Sequence, residues 1–279
     1  MKKSSSILVN KNTITAISIG GFDGMHLAHQ ELFKNLGNNG GIVVIESGYA
    51  NITPKTYRQE YSNYPIYYYV LENIKHLTGK EFILLLKEEF PSLQKIIVGF
   101  DFCFGKNRKN CIPELNSLFS GEVVVVKEVK KNEIAVHSRI IREYLKNGDI
   151  KTTNELLNRE YKIFGRQIKG QGLGSKSFVP TINIKVSDFI LPNEGVYATK
   201  TIINEEEYNS VTFLGHRITT DGSFAVETHI IDKDIKNMYT LVQIKFIEKI
   251  RKNEKFDNFE ELKLQILKDI NQAKLVLNN

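Results

Sequence analysis

Ile14-Thr15-Ala16-Ile17-Ser18-Ile19 runs straight into Gly20-Gly21-Phe22-Asp23-Gly24-Met25-His26-Leu27-Ala28-His29, and the succession of these two segments decides the fold. The first is a nearly continuous apolar, β-branched run, as expected of a parallel strand buried on both faces. The second is a glycine-rich turn that opens a helix, so together they predict the first βα unit of a doubly wound sheet. At such a junction backbone amides and the helix dipole can hold phosphate, and glycines let the main chain approach a nucleotide closely. His26 and His29, three apart, would point the same way from the first helical turn. Two imidazoles there can stabilise the charge that develops on a triphosphate attacked at its α-phosphorus. As a bare pair, histidines at this spacing are more often surface or metal-binding residues; the glycine-flanked strand-to-helix context turns the weight toward nucleotide chemistry.

Outward from this unit, the first half keeps alternating strand and helix. Ile42–Ile45, Lys95–Val98 and Glu122–Val126 read as further buried strands, while His29–Leu36 and Glu81–Phe90 carry apolar residues at helical spacing, with Gly37 and Pro91 as stop signals. From Ile163 the pattern changes to short strands between turn-rich stretches: Thr181–Val186, Val196–Ile203, Ser210–Leu214, Phe224–Ile231 and Thr240–Ile247. Five or six such strands predict a small closed antiparallel barrel. Phe259, Leu262, Ile266, Ile270 and Ala273 form one stripe of a C-terminal amphipathic helix lying against the barrel, with Asp257 as its N-cap. Two helical patterns, Ser138–Lys146 and Ile150–Leu157, separate the halves, which puts the domain boundary near residues 158–162.

Composition bounds the function. The chain has 279 residues, 41% hydrophobic and 25% charged, enough for a core in each of two domains and unlike a disordered or collagenous chain. Its net charge of +6 suits anionic small substrates such as nucleotides. The basic residues at Lys106–Lys109, Lys127–Lys131 and Glu248–Lys255 are interleaved with acids and apolar positions, so solvated faces are expected, and no nucleic-acid partner. Cys103 and Cys111 are the only cysteines, without a C-x-x-C pair or zinc-finger spacing, and read as reduced thiols. The amino end lacks the apolar core of a signal peptide, and no apolar run approaches the ~18 residues of a membrane span. A cytoplasmic protein with no membrane partner is the expectation; oligomeric state is left open.

Ile19-Gly20-Gly21-Phe22-Asp23-Gly24-Met25-His26-Leu27-Ala28-His29 resembles the G-x-F-D-G-x-H-x-G-H signature of the adenylyltransferase half of bacterial bifunctional riboflavin kinase/FAD synthetases. Val98-Gly99-Phe100-Asp101-Phe102-Cys103-Phe104-Gly105-Lys106-Asn107-Arg108 is similar to that family's V-G-x-D-F-x-F-G-K-x-R segment, and Ser138-Arg139-Ile140-Ile141-Arg142-Glu143 to its S-S-T-x-I-R-E motif. The resemblance implies a Rossmann-like nucleotidyltransferase domain over residues 1–158 that transfers AMP from Mg-ATP to FMN, releasing FAD and pyrophosphate. It implies catalytic roles for His26 and His29, ATP contacts from Gly20, Phe22, Asp23, Gly24, Ser138 and Arg142, and a flavin site including Asp101 and Phe102. The sequence departs from the pattern at Ala28, at Arg139 with His137 before it, and after the second strand, where Ile45-Glu46-Ser47-Gly48-Tyr49 replaces an E-P-H-P-like turn.

In the second half, Gly170-Gln171-Gly172-Leu173-Gly174-Ser175-Lys176 is glycine-rich and basic but is not a P-loop, lacking G-K-[ST] and the helix after it. By composition alone a flexible loop is the better account. Pro180-Thr181-Ile182-Asn183 resembles the P-T-A-N motif of riboflavin kinases; Gly195-Val196-Tyr197-Ala198, Val226-Glu227-Thr228-His229 and Ile250-Arg251 through Lys255-Phe256 are similar to their later motifs. The resemblance implies a β-barrel riboflavin kinase domain over residues 159–279. In it Thr181 and Asn183 serve as Mg²⁺ and ATP ligands, Gly174 and Lys176 as further ATP contacts, Glu227 as general base, and Arg251 as a flavin or product-phosphate contact. His229 is read as structural. Read from the residues alone, Glu227 is an outward polar residue on an alternating strand, and Arg142 and Arg251 are surface arginines. Departures are Ser177-Phe178-Val179 before the P-T-x-N run and Phe213-Leu214-Gly215-His216-Arg217-Ile218-Thr219 in place of N-I-G-x-R-P-T.

The combined expectation is a flavin-synthesising enzyme that takes riboflavin, FMN and ATP, with Mg²⁺. The alternatives weighed against it are a chain in which only the kinase half turns over, and a non-catalytic flavin- or nucleotide-binding module.

Overall fold

The first strand, Ala16–Gly20 (β1), is buried on both faces. Ile17 and Ile19 enter a cluster with Phe82, Ile83, Leu86 and Phe90. Ala16 enters the opposite one, with Phe22, Met25, Leu32 and Phe33. A strand apolar on both faces has to lie inside a sheet covered twice, and β1 is the middle strand of five. The computed structural model describes residues 10–169, 179–219, 221–233 and 241–278. Its contacts divide the chain into two units, Met1–Ser138 and Arg139–Asn279.

In the first unit β2 (Gly40–Glu46), β3 (Ile66–Val70), β4 (Lys95–Gly99) and β5 (Glu122–Val126) complete a parallel sheet in the order β3-β2-β1-β4-β5. Helices α1 (Leu27–Phe33), α2 (Leu71–Ile74), α3 (Gly79–Glu89) and α4 (Ile112–Leu118) connect them, and Lys130–Lys131 (β6) pairs with Ile134–Ala135 (β7). Edge strand β3 is Ile-Tyr-Tyr-Tyr-Val, aromatic and only half-buried, so a search for continuous Val/Ile runs does not find it. Helix α3 starts two residues before its expected position, because Thr78 and Glu81 form a capping box.

The second unit begins with two helices, α5 (Ser138–Asn147, its first residue closing the first unit) and α6 (Ile150–Leu157). The unit boundary lies at 138/139, twenty residues before the expected domain boundary, because these helices are hydrogen-bonded to residues C-terminal to them. Asn154 Nδ2 donates to Phe246 O at 2.9 Å, Tyr161 N donates to Asn154 Oδ1 at 2.7 Å, and Asn193 N donates to Leu145 O at 2.9 Å. The barrel consists of β8 (Tyr161–Ile168), β9 (Ile182–Lys185), β10 (Gly195–Ile203), β11 (Glu206–His216), β12 (Phe224–Ile230) and β13 (Val242–Arg251), closed in the order β10-β11-β12-β9-β8-β13. All pairs are antiparallel.

One section of the barrel interior is a network of fully buried hydroxyls. Thr199, Thr201, Ser210, Thr212 and Thr228 satisfy one another at 2.8–3.1 Å, so none is desolvated without a partner. Helix α7 (Phe259–Leu277) packs Ile270, Ala273, Val276 and Leu277 against Val196, Ala198 and Val211 of the outer wall. Its N-cap is Asn258, whose side chain accepts from Glu261 N at 2.9 Å, and not Asp257. Phe259, expected in the apolar stripe, is exposed.

Candidate functional sites

The sheet order reverses between β1 and β4, and in open α/β sheets the crevice beyond the strand C-termini at that reversal is where ligands bind. Both N-terminal motifs sit there, one after Gly20 and the other after Gly99. A cleft of about 480 Å³ opens at this point, lined by Gly20, Phe22, His26, His29, Asp101, Phe102 and Ser138 among others, all from the first unit.

The turn after β1 is held in an uncommon conformation. Phe22, Gly24 and Met25 have φ of 48°, 92° and 43°, and a Cβ at Gly20 would stand 3.0 Å from the Phe22 ring. Such backbone persists only where its surroundings fix it. Here Asp23 does so: its buried carboxylate accepts from the amides of Asn51, Ile52 and Thr53 at 3.1, 3.0 and 2.9 Å. Gly24 N in return donates to Thr53 Oγ1 at 2.6 Å. Asp23 and Gly24 thus clamp the loop, and neither lines the cleft.

His26 and His29 stack with ring centroids 3.5 Å apart and planes 19° from parallel. The Phe22 ring meets His29 edge-on at 5.1 Å. Ser138 Oγ donates to Asp23 O at 2.7 Å and lies 3.3 Å from His26 Nε2, which joins the third motif to the first. Arg142 lies one turn further along α5, half-buried, in the second unit. The second motif brings Asp101, exposed at the cleft, and Phe102, stacked on Phe104 at 5.6 Å. Arg108 and Lys127 also line the cleft. The sequence places both in stretches expected to be solvated faces; the available signal was that Arg108 closes the V-G-x-D-F-x-F-G-K-x-R segment.

Cys103 and Cys111 are joined in a disulfide, against the expectation of free thiols. Spacing alone does not reveal the pairing. The chain doubles back between them through a two-way backbone bridge, Phe104 N to Asn110 O at 2.7 Å and Asn110 N to Phe104 O at 3.2 Å, which leaves the flanking Cα atoms 4.1 Å apart.

In the barrel, β12 and β9 pair so that Glu227 stands directly across from Asn183, and Thr228 across from Ile182. Thr228 points into the hydroxyl network, so Glu227 lies on the outer wall, as its alternating strand predicts. It is not simply solvated there. Arg217 donates from Nε and Nη2 to Glu227 Oε1, the first at 2.9 Å, while Nη2 also donates to Asn183 Oδ1 at 2.7 Å. Thr181, on the same strand face as Asn183, is exposed. His229 Nδ1 lies 2.9 Å from Pro180 O, a link holding the start of this strand. Gly174 and Lys176 fall outside the described residues.

Arg251 is committed elsewhere. Its Nε and Nη2 grip both oxygens of buried Asp269 at 2.9–3.1 Å, fastening α7 to β13. Glu194 accepts from the amide of His216, from its ring and from Asn253, and the amide bond above all holds its carboxyl below the usual glutamate range. Among the described residues no group of three or more His, Cys, Asp or Glu could hold a metal ion unaided, and no helix is long and apolar enough to cross a membrane.

Comparison with known proteins adds to this geometry. Residues 157–277 match the riboflavin kinase (flavokinase) family. A bifunctional riboflavin kinase/FMN adenylyltransferase of Haemophilus influenzae is 30% identical over 298 residues, covering 95% of this chain and 94% of that protein. A protein of the same name from Bacillus subtilis is 27% identical over 93% of this chain and 91% of its own. A crystal structure described as a macrolide-efflux protein from Streptococcus pneumoniae superposes with a TM-score of 0.83 over 94% of each chain at 22% identity, a likeness of fold alone.

Proposed function

The chain belongs to the bifunctional riboflavin kinase/FMN adenylyltransferase family of flavin-cofactor biosynthesis enzymes, and from that premise we propose that residues 159–279 phosphorylate riboflavin to FMN and residues 1–158 adenylylate FMN to FAD. The supporting observation is that each set of reactive groups is drawn from one unit: the cleft residues from the first, and Glu227, Asn183 and Thr181 from the second.

In the kinase step Glu227 takes the proton of the ribityl 5′-hydroxyl as that oxygen bonds to the γ-phosphorus of ATP, and the bond to the β-phosphate oxygen breaks to release ADP. Thr181 and Asn183 offer neutral oxygens two residues apart on one strand face, a donor set that fits Mg²⁺ arriving with most of its shell made of phosphate and water. When bound, Mg²⁺ supplies charge neutralisation on the transferring phosphate. Gly174 and Lys176 are assigned to ATP binding by the family resemblance. Arg251 serves the flavin indirectly, by anchoring α7 through Asp269.

In the adenylyl step an FMN phosphate oxygen attacks the α-phosphorus and pyrophosphate leaves. His26 and His29 stabilise the charge gathering on the phosphates, helped by the backbone of Gly20, Gly21 and Phe22 and by Ser138, all of which line the cleft. Asp101 and Phe102 form part of the flavin site, and Asp23 acts by holding the turn. The enzyme works on small molecules in the cytoplasm.

A time course with riboflavin, ATP and Mg²⁺, the flavins separated by chromatography, tests this reading. FMN should rise first and FAD after it. FMN accumulating without FAD, even when FMN is the substrate supplied, overturns the role given to the first unit; no turnover at all overturns both.

A further inference from the structure

Arg217 lies just beyond β11, in the short connection to β12, and its guanidinium is fixed from several sides. Its backbone N donates to Ser223 O at 2.9 Å and its carbonyl accepts from Gly222 N at 3.1 Å, closing a tight loop. Its Nη1 donates to Ser223 Oγ at 2.8 Å, and that hydroxyl is held by Asp221 at 2.9 Å. The other edge of the fork meets Glu227 and Asn183. Both partners of the ion pair are largely withdrawn from solvent, with side-chain exposures of 17% for Arg217 and 23% for Glu227.

We propose that Arg217 is the positioning residue of the kinase site, its planar fork fixing the base carboxylate of Glu227 and the nucleotide-side amide of Asn183 in one geometry. The inference rests on the roles given above to Glu227 and Asn183. Both Arg217 contacts to the carboxylate fall on Oε1, so Oε2 is the oxygen that receives the hydroxyl proton. Nη2 bridges Oε1 and Asn183 Oδ1, so the same group sets the spacing between the base and the strand that carries the nucleotide. An arginine suits this task because its donors lie in a rigid plane, whereas a lysine ammonium is a single point that cannot reproduce two directed contacts. A base held this way reaches the substrate already aligned, and alignment acts on the rate more than on ground-state binding. The competing account is an ion pair that only ties the β11–β12 loop to the barrel.

The two accounts separate in steady-state kinetics of riboflavin phosphorylation by the full chain, with FAD formation from supplied FMN as the control for folding. Arg217→Ala should lower kcat by roughly 100-fold and change KM for riboflavin by less than about threefold. Added guanidinium ion, below denaturing concentration, should restore part of that rate and none of the rate lost in Glu227→Gln. The double variant should be little slower than Glu227→Gln alone and far short of the product of the single losses, because with the base gone Arg217 has only Asn183 left to position. Normal kcat in Arg217→Ala, a change confined to KM, or a double variant showing the product of the single losses overturns the proposal. If Arg217→Ala also loses FAD synthesis, Arg217→Lys decides: a kcat at least about tenfold down with FAD synthesis intact supports the positioning role, and an unchanged kcat overturns it. If Glu227→Gln is itself fully active, the base assignment falls and the proposal with it; if that variant is inactive while Arg217→Ala is normal, only the proposal falls.

Discussion

The two sites are built by opposite routes. In the first unit Gly20 to His29 are neighbours along the chain, and one strand-turn-helix passage delivers the glycines and both imidazoles to the cleft. In the barrel, Asn183, Arg217 and Glu227 come from three separate segments and meet only because β9 and β12 pair in one register. A local site depends on turn geometry, which Asp23 secures by accepting from three consecutive amides. A cross-strand site depends on register, and a one-residue slip would turn every side chain of the strand to the other face.

That contrast can be broken by mutation. The largest effect is expected from Glu227→Ala, which should cut riboflavin phosphorylation by roughly 10² to 10⁴ while FMN adenylylation continues; chromatography of the flavins from each half-reaction checks it. His26→Ala should do the reverse, lowering FAD formation by about 10² to 10³ and sparing FMN formation. Loss of both activities in a folded variant would contradict two independent sites.

Asp269→Ala sharpens the comparison from the side of stability. It leaves the Arg251 guanidinium without its buried partner, a loss of about 3–5 kcal/mol for such pairs. Thermal or urea unfolding should show it, and FAD formation should outlast FMN formation as temperature rises.

The smallest effect concerns Glu194. Because its folded-state pKa is depressed below 4.5, its contribution is present above pH 4.5 and fades as pH falls through the lower folded value. Glu194→Gln should therefore melt below the unsubstituted protein near neutral pH, with the gap closing in acid. Melting curves on both sides of pH 4.5 measure it, and a gap that widens in acid would reverse the assignment.

The elements found from sequence are those whose signal is short in range. The strands of the parallel sheet other than β3 announce themselves by continuous Val and Ile, although Glu122–Val126, expected to be buried, is a half-exposed edge strand, and β13 announces itself by alternation at Val242, Ile244 and Phe246. Edge strand β3 escapes because its tyrosines are half-buried and mimic no buried run. Glu227 and Asn183 are picked out by motif resemblance; Arg217 keeps the Arg of the N-I-G-x-R-P-T pattern, but its partners, 34 and 10 residues away, are visible only in the fold. Asp23 shows the converse: a residue singled out by its motif also holds the loop, its carboxylate accepting from three amides some 30 residues on, a contact no local stretch contains.

By itself, then, the sequence determined the kinds and order of the elements, the glycine turn with its two histidines, and the switch from parallel sheet to barrel. Periodicity and turn chemistry are properties of a few adjacent residues, so they can be read without a structure. Only the tertiary structure decided that Cys103 bonds Cys111, that Arg251 pairs with Asp269, that α5 and α6 go with the barrel, and that Arg217 joins Glu227 to Asn183. Each of these is a choice of partner across the fold, set by strand register and chain reversal, and no stretch of a few residues contains it.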